Sequence, residues 1–411
     1  MPRGGAAAHH RADAMALRRL KALLACLALA ACAAQAQEFP RLMGMNIGAK
    51  HYDDALYQEQ LARLDVVVLG FYPGWNPHGY AESSAAAIRK VVQALKARNP
   101  RLLVGQYTVL NEANDDPRDV ATRDLREKLH KEGWWLRNGA GRRVQWTDRY
   151  ANWETNFTPW AKPDALGRRW PEWLAERNYA AYFRDVPQFD LVFLDNVIHP
   201  LRVKGDWNGD GANDDPKDAK VLAAHFAGHA AHWRRLRELM PGKLLLANVD
   251  HDLANPEWRG VLEGAFLEGL MGERWSIESW GGWEAMMRRY RAVLANTRAP
   301  HLVGFNVHGD PGDGRFFRYA YASCLLADGY FSFTDKSKGY GSVPWFEEYE
   351  LELGKAVSPP PDAPWRDGVW RRDFERGVAL VNPTGSAKTV ALEPGARRLR
   401  LAAKDGIVLA R

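Results

Sequence analysis

Residues 190–197 read DLVFLDNV, and residues 264–270 read GAFLEGL. In each, a short run of aliphatic and aromatic residues ends on a carboxylate, Asp195 in the first and Glu268 in the second. An apolar run without polar alternation suits a strand covered on both faces, as the strands of a parallel sheet are. Six further runs share this character: 41–48 (RLMGMNIG), 65–72 (DVVVLGFY), 101–110 (RLLVGQYTVL), 243–250 (KLLLANVD), 301–309 (HLVGFNVHG) and 329–335 (GYFSFTD). Amphipathic helical patterns separate them, among them 84–98, 222–239 and 283–297. Eight β/α units within 41–335 predict an α/β fold, a (β/α)8 barrel spanning 37–355. A doubly wound open sheet is the alternative, but the first run lacks a G-x-G-x-x-G turn and eight units favour closure.

The rest of the chain is organised around that barrel. Between the third and fourth runs lies an unusually long connection, 111–188. It carries a helical pattern at 118–131 and seven of the 17 tryptophans of the 411-residue chain. Long loops in compact domains usually serve function, and on a barrel the βα loops build the active face, so these tryptophans are expected beside the site. After the Pro-rich break AVSPPPDAPW (356–365), residues 366–411 read as short strands parted by NPTGS, EPGA and AKDG turns, a small antiparallel β module packed on the barrel.

The N-terminal end reads as a leader. Residues 15–36 (MALRRLKALLACLALAACAAQA) place a basic segment before an apolar run and an A-x-A site at Ala34–Gln35–Ala36. This is a secretory signal peptide, too short and Ala-rich for a membrane span. Leu29-Ala30-Ala31-Cys32 also resembles a bacterial lipoprotein box, which would make Cys32 a lipid anchor and the chain's one attachment to a membrane. Either reading predicts export to the periplasm, the outer membrane or the medium. The leader also explains most of the formal charge of +6: without residues 1–36 there remain 51 Lys/Arg and 49 Asp/Glu. No basic run is left that could track nucleic acid, which excludes that partner. Export cleavage leaves Cys324 as the sole cysteine and no internal disulfide. Nothing in the chain specifies an oligomeric state.

On a barrel, chemistry belongs at the C-terminal ends of the strands. Here those ends carry Asn46, Tyr72, Tyr107, Asp195, Asn248, Asp250, Glu268, His308 and Asp335. A carboxylate after a buried strand is costly unless it is paired or used. Asp195 and Glu268 end strands four and six, on one side of the ring, and could flank a single substrate bond. Two carboxylates around one bond are what glycoside hydrolysis requires: one ionised, one with a raised pKa that protonates the leaving oxygen. No strand ends on a Schiff-base Lys, and no G-x-S-x-G or Ser/His/Asp order is present. Asp250 is the main rival to Glu268, with nearby Glu263 and Glu273 as further acids. Tyr72, Tyr107, Asn196, Asn248, Asp250 and His308 are candidates for substrate hydrogen bonds, and the tryptophans for stacking on sugar rings.

Two patterns suggest metals. Asp206, Asn208, Asp210, Gly211 and Asp214 fit the first nine positions of an EF-hand-type loop, D-x-N-x-D-G-x-x-D, although Lys217 replaces the bidentate Glu. The expectation is a structural Ca²⁺ on Asp206, Asn208, Asp210 and Asp214, with an ion-free acidic turn as the alternative. No cofactor is expected for catalysis. His225, His229 and His232 share a helical face, but Phe226 stands where H-E-x-x-H needs its Glu, so packing is favoured over zinc.

LVFLDNV, GAFLEGL, the segment YFSFTDKSKGYGSVPWFEEYELELGKAV and the terminal WRRDFERGVALVNPT together resemble a bacterial glycosyl hydrolase-like family over most of residues 40–390. That family is a set of (β/α)8 barrels distantly similar to the α-galactosidase superfamily. The resemblance implies a nucleophile at the end of strand four, matched by Asp195, and an acid/base at the end of strand six, matched by Glu268. The sixth-strand acid is commonly Asp in that superfamily, so Glu268 departs from the pattern. The expected activity is hydrolysis of a poly- or oligosaccharide. A non-catalytic carbohydrate-binding barrel of the cell envelope and a metal-dependent hydrolase on the histidine face are the alternatives.

Overall fold

In the computed structural model, residues 38–48, 51–77, 83–149, 151–197, 201–250, 252–393 and 398–411 are described. The leader expected over 1–36, with Cys32, lies outside the described residues. In chain order, β1 (Met43–Asn46), α1 (Ala55–Ala62), β2 (Val66–Leu69), α2 (Ser84–Arg98) and β3 (Leu103–Val109) open the barrel. An insertion follows with β4 (Glu112–Asn114), α3 (Arg123–Glu132), β5 (Asn152–Glu154) and α4 (Trp170–Asn178). The barrel resumes with β6 (Leu191–Val197), α5 (Ala219–Leu239), β7 (Leu244–Val249), β8 (Gly264–Met271), α6 (Ile277–Asn296), β9 (Leu302–Gly309), α7 (Gly314–Leu325) and β10 (Tyr330–Asp335).

The eight apolar runs read from the sequence are the eight parallel strands, hydrogen-bonded in the order β1-β2-β3-β6-β7-β8-β9-β10. Leu42 bridges in parallel to Phe331, and the Phe331 N–H donates to the Arg41 carbonyl at 2.8 Å, which closes the ring. Each strand is apolar on both faces because each face meets a different core. Met43, Met45, Val66, Val68, Leu191, Phe193, Leu246, Phe266, Leu302 and Tyr330 fill the barrel interior. Their neighbours Val67, Leu69, Val192, Leu194, Leu245, Leu267 and Val303 pack outward against the helices. Side chains alternate along a strand, so this inward register continues to the strand ends. Asp and Ser at the helix starts help to set the helices: Asp54, Ser83, Asp218 and Asp313 each accept a first-turn backbone N–H.

The insertion has its own core, which divides its tryptophans. Trp134, Trp135 and Trp170 are buried with Leu110, Leu129, Phe157 and Trp207, while Trp153 and Trp173 pack against that cluster. Trp134 donates its indole N–H to the Lys162 carbonyl at 2.7 Å and Trp170 to the Leu110 carbonyl at 2.9 Å. Only Trp146 and Trp160 of the seven are exposed, which corrects the expectation of a tryptophan-lined site: a loop this long must bury apolar surface to hold a shape. The insertion docks on α5, where Gly228 leaves no room for a Cβ beside the Phe157 carbonyl. His225 and His229 lie edge-on to the Phe157 ring, and burial holds the His229 imidazole well below its ordinary pKa and that of His232 at about 4. The histidine face is packing.

Beyond the barrel, β11 (Trp370–Phe374), β12 (Gly377–Asn382), β13 (Lys388–Ala391), β14 (Arg398–Leu401) and β15 (Asp405–Ala410) form an antiparallel sheet β11-β12-β15 and a hairpin β13-β14. Buried Arg372 donates to the Leu325 carbonyl and to Asp328, and Arg318 of α7 pairs with Asp405 at 3.0 Å, tying this sheet to the barrel's outer layer. Among the described residues, no helix is long and apolar enough to cross a membrane.

Candidate active site

The inward register delivers polar side chains to one mouth of the barrel. Leu191 and Phe193 point inward, so Asp195 does as well; Leu246 is followed by Asn248, Phe266 by Glu268, and Leu103 by Tyr107 two pairs on. Both carboxylates sit where the ladder breaks. Pairing of β6 with β7 shifts between Leu194 and Val197, and pairing of β8 with β9 between Leu267 and Met271. The residue after each acid is left-handed: Asn196 has φ 57° and Gly269 has φ 56°. Such irregularities re-aim a side chain at a strand end, and here both act on the acids.

A single amide joins the pair. Asn248 Nδ2 donates to Asp195 Oδ1 at 3.0 Å and to Glu268 Oε2 at 2.8 Å. Those two oxygens therefore stand no further apart than about 6 Å. On the other edges, Tyr107 donates its hydroxyl to Asp195 Oδ2 and Tyr340 donates its own to Glu268 Oε1, each at 2.5 Å. Burial, with the charge of Glu268 second, pushes the Asp195 carboxyl up to about 6, against the pull of Tyr107, Asn248 and the Asn196 N–H. Burial and the adjacent carboxylates push both tyrosines far above their ordinary range, so they remain donors. Behind Tyr340, His308 Nε2 lies 3.4 Å from the hydroxyl, and His308 Nδ1 faces Glu273 Oε1 at 3.3 Å.

Arg202 anchors the other side. Its guanidinium donates to Asn196 Oδ1 at 3.1 Å, to Glu112 Oε2 at 2.9 Å and to Glu154 Oε1 at 3.2 Å, while Asn111 Nδ2 donates to the Asn196 carbonyl at 2.8 Å. The insertion's antiparallel pair β4-β5 is thus pinned to the residue that follows Asp195. Burial pushes the Glu154 carboxyl up to about 7, with Arg202 opposing and Glu112 adding to the shift.

The candidates from the sequence fall into distinct places. Asp195, Glu268, Tyr107, Asn248 and His308 come together; Tyr107 and Asn248 brace the acids, and His308 backs Tyr340. Asn196 adjoins the site but turns its side chain to Arg202. Asp250 is exposed beyond β7, where Arg289 takes its carbonyl, and Tyr72 is exposed beyond β2. Asp335 is buried in a turn with Ser337. Glu263 is held by Arg237 and Arg298 and accepts the Leu245 N–H, at the opposite end of β8 from Glu268. In the 206–214 loop, Asp206 accepts the N–H groups of Gly209, Asp210 and Gly211, and Asn208 Nδ2 donates to Asp210 and Asp214. With these contacts in place, no group of three or more His, Cys, Asp or Glu among the described residues is positioned to hold a metal ion. Sequence reasoning missed Tyr340, five residues beyond β10, and Arg202, five beyond β6. Trp275 was missed as well; it stands over Gly269. Each lies in a loop whose path no periodicity specifies.

A parallel eight-stranded barrel with a bridged carboxylate pair at its mouth defines the class. The chain belongs to the hypothetical glycosyl hydrolase family 15, which matches residues 96–378. No curated protein matches it. Among solved structures it is similar to the glycoside hydrolase domain of PelA from Pseudomonas aeruginosa, with 15% identity, TM-score 0.46, and coverage of 74% of this chain and 97% of that one. It is also similar to a GH36 alpha-galactosidase from Geobacillus stearothermophilus in complex with 1-deoxygalactonojirimycin, with 10% identity, TM-score 0.48, and coverage of 91% and 55%. A third is the cyclic alpha-maltosyl-(1→6)-maltose hydrolase from Arthrobacter globiformis, with 12% identity, TM-score 0.47, and coverage of 90% and 98%.

A carboxyl whose pKa is higher folded than unfolded stabilises the fold below its unfolded pKa and loses that contribution as pH rises through the folded value, here about 6. Asp195→Asn is therefore expected to melt above wild type near pH 8 by the equivalent of on the order of 2 kcal/mol, with the gap closing toward pH 4. Calorimetry that finds no gap, or the same gap at both pH values, contradicts burial as the cause.

Proposed function

We propose that the protein is an exported glycoside hydrolase that cleaves a poly- or oligosaccharide with retention, Asp195 acting as nucleophile and Glu268 as general acid/base. The observation that carries this reading is the Asn248 bridge. It keeps the nearest oxygens within about 6 Å, whereas retaining enzymes separate the two groups by about 5–5.5 Å and inverting ones by roughly 6.5–9.5 Å.

The chemistry follows from the hydrogen bonds. Near neutral pH Asp195 is ionised, with Tyr107, Asn248 and the Asn196 N–H stabilising its charge. Asp195 attacks the anomeric carbon as the bond to the leaving oxygen breaks, and Glu268 gives that oxygen its proton. Glu268 next takes a proton from water, whose oxygen attacks the same carbon and releases Asp195. Tyr340 can follow both states. It donates to ionised Glu268 and turns toward His308 Nε2 when Glu268 is protonated, provided that His308 keeps its proton on Nδ1, facing Glu273.

The leader at 1–36 carries the export proposal. Mass spectrometry of the mature chain should find cleavage after Ala36 or a lipid on Cys32; an intact N-terminus would overturn it. For the 206–214 loop we propose a structural Ca²⁺ that replaces the hydrogen bonds Asn208 Nδ2 gives to Asp210 and Asp214, with the Asn208 amide oxygen turned to the ion. Calcium should raise the Tm of chelator-treated wild type but not of Asp210→Ala, and no rise in wild type refutes the site.

Hydrolysis is tested by a glycan screen of wild type, Asp195→Asn and Glu268→Gln. Both variants are expected to lose at least about a thousandfold in turnover. Saccharide binding without any hydrolysis by wild type would instead indicate a non-catalytic carbohydrate-binding barrel. On the substrate found, kcat/KM should fall below about pH 6 as Asp195 takes a proton. Tyr107→Phe removes a donor to the charged form and should move that acid limb to higher pH; a shift to lower pH would contradict the assignment.

A further inference from the structure

Four tryptophans stand exposed among the described residues: Trp146 at 46%, Trp160 at 39%, Trp275 at 56% and Trp280 at 69%. Single exposed rings are ordinary on a protein surface, so it is their placement that distinguishes them. Two of the four are built onto the residues that aim the carboxylates.

Trp146 donates its indole N–H to Glu112 Oε2 at 2.8 Å, and the Arg202 guanidinium lies 4.8 Å from its ring centroid. Arg202 in turn holds Asn196, next to Asp195. Trp275 packs over Gly269, next to Glu268, so closely that a Cβ there would lie 2.2 Å from the indole. Its ring stands edge-on to His308 at 5.7 Å. Ser276 fixes this turn, donating to the Gly269 carbonyl at 2.5 Å and accepting the Glu273 N–H at 2.9 Å. Trp280 extends it outward, its indole N–H reaching the Trp275 carbonyl at 3.2 Å.

The barrel order sets the two rings apart. Asp195, Asn248 and Glu268 end the adjacent strands β6, β7 and β8. Trp146 comes from the insertion between β3 and β6, whereas Trp275 follows β8 and touches β9. We infer that Trp146 and Trp275 are saccharide-stacking platforms on opposite flanks of the carboxylate pair, so that the substrate is a glycan chain with sugar units on both sides of the cleaved bond. This rests on the glycoside hydrolase reading and makes the enzyme chain-cleaving rather than one that trims a terminal unit. A pyranose ring offers an apolar C–H face with hydroxyls at its rim, which suits an indole beside polar side chains. An anionic ligand such as a nucleotide does not suit this mouth. Asp195 and Glu268 face it, and the Arg202 guanidinium is already engaged by the buried carboxylates Glu112 and Glu154.

The test is affinity electrophoresis of the Asp195→Asn protein in gels cast with galactomannan, arabinoxylan, laminarin or dextran. Trp146→Ala, Trp275→Ala, their Phe counterparts and the surface control Leu166→Ala are compared in that background. At least one polysaccharide should retard the parent. Each Ala change should weaken its binding about tenfold, with Phe retaining most of it and Leu166→Ala having no effect. The inference falls if none of the four gels retards the parent, if either tryptophan can be removed without effect, or if the constituent monosaccharide competes as well as a hexasaccharide. Wild-type hydrolysis that is unchanged by both tryptophan substitutions overturns the platforms and leaves the carboxylate assignment standing. Retardation that needs both rings, with no hydrolysis by wild type, supports the platforms and overturns the carboxylate assignment.

Discussion

Two carboxylates share one half-buried barrel mouth, and their oxygens cannot both carry a full charge there without compensation. Asn248 supplies it by donating one amide nitrogen to both, so the pair is held at fixed separation by a group that bears no charge itself. Tyr107 and Tyr340 complete the arrangement from outside, one hydroxyl to each acid. The raised pKa of Asp195 is the electrostatic consequence: burial and a like neighbour disfavour its charge, and three donors only partly restore it. The rest of the mouth exists to keep these five side chains in register.

Two devices do this. The first lies in the strands, where the ladder slips at both acids and a left-handed residue follows each. Glycine adopts that conformation at 269 without strain. Asn196 adopts it at some cost, which is offset by Arg202 on its side chain and Asn111 on its carbonyl. The second is the insertion. Its buried tryptophans give it a core of its own, and its strands β4 and β5 send Glu112 and Glu154 to Arg202, so removing that guanidinium would leave two buried carboxylates without that partner. The loop that seemed rich in sugar-facing rings contributes mainly as a wall, from which Trp146 projects.

The barrel was legible because its signal is local. Eight runs, largely apolar and without polar alternation, require two covered faces, and their lengths and helical spacers leave few ways to provide them. Much of the site was legible for the same reason: Asp195, Asn248 and Glu268 continue the inward alternation of Leu191, Leu246 and Phe266, so their shared direction follows from period two alone. What the pattern did not show is that Tyr107 and Asn248 brace the acids, because a strand pattern shows where a side chain points and not what already occupies the space it points into. The seven clustered tryptophans were misread in place, since clustering in sequence carries no information on which rings face inward.

By itself, the sequence determined the strands, the closure that eight of them favour, the two acids and their common mouth. All of these follow from short-range alternation between apolar and polar residues. Only the tertiary structure decided what surrounds the acids: Tyr340 arriving from beyond β10, Arg202 joining three segments distant in the chain, and Trp275 resting on a glycine. These depend on loops meeting across the barrel, and the meeting of loops is set by packing over the whole fold rather than by any window of residues.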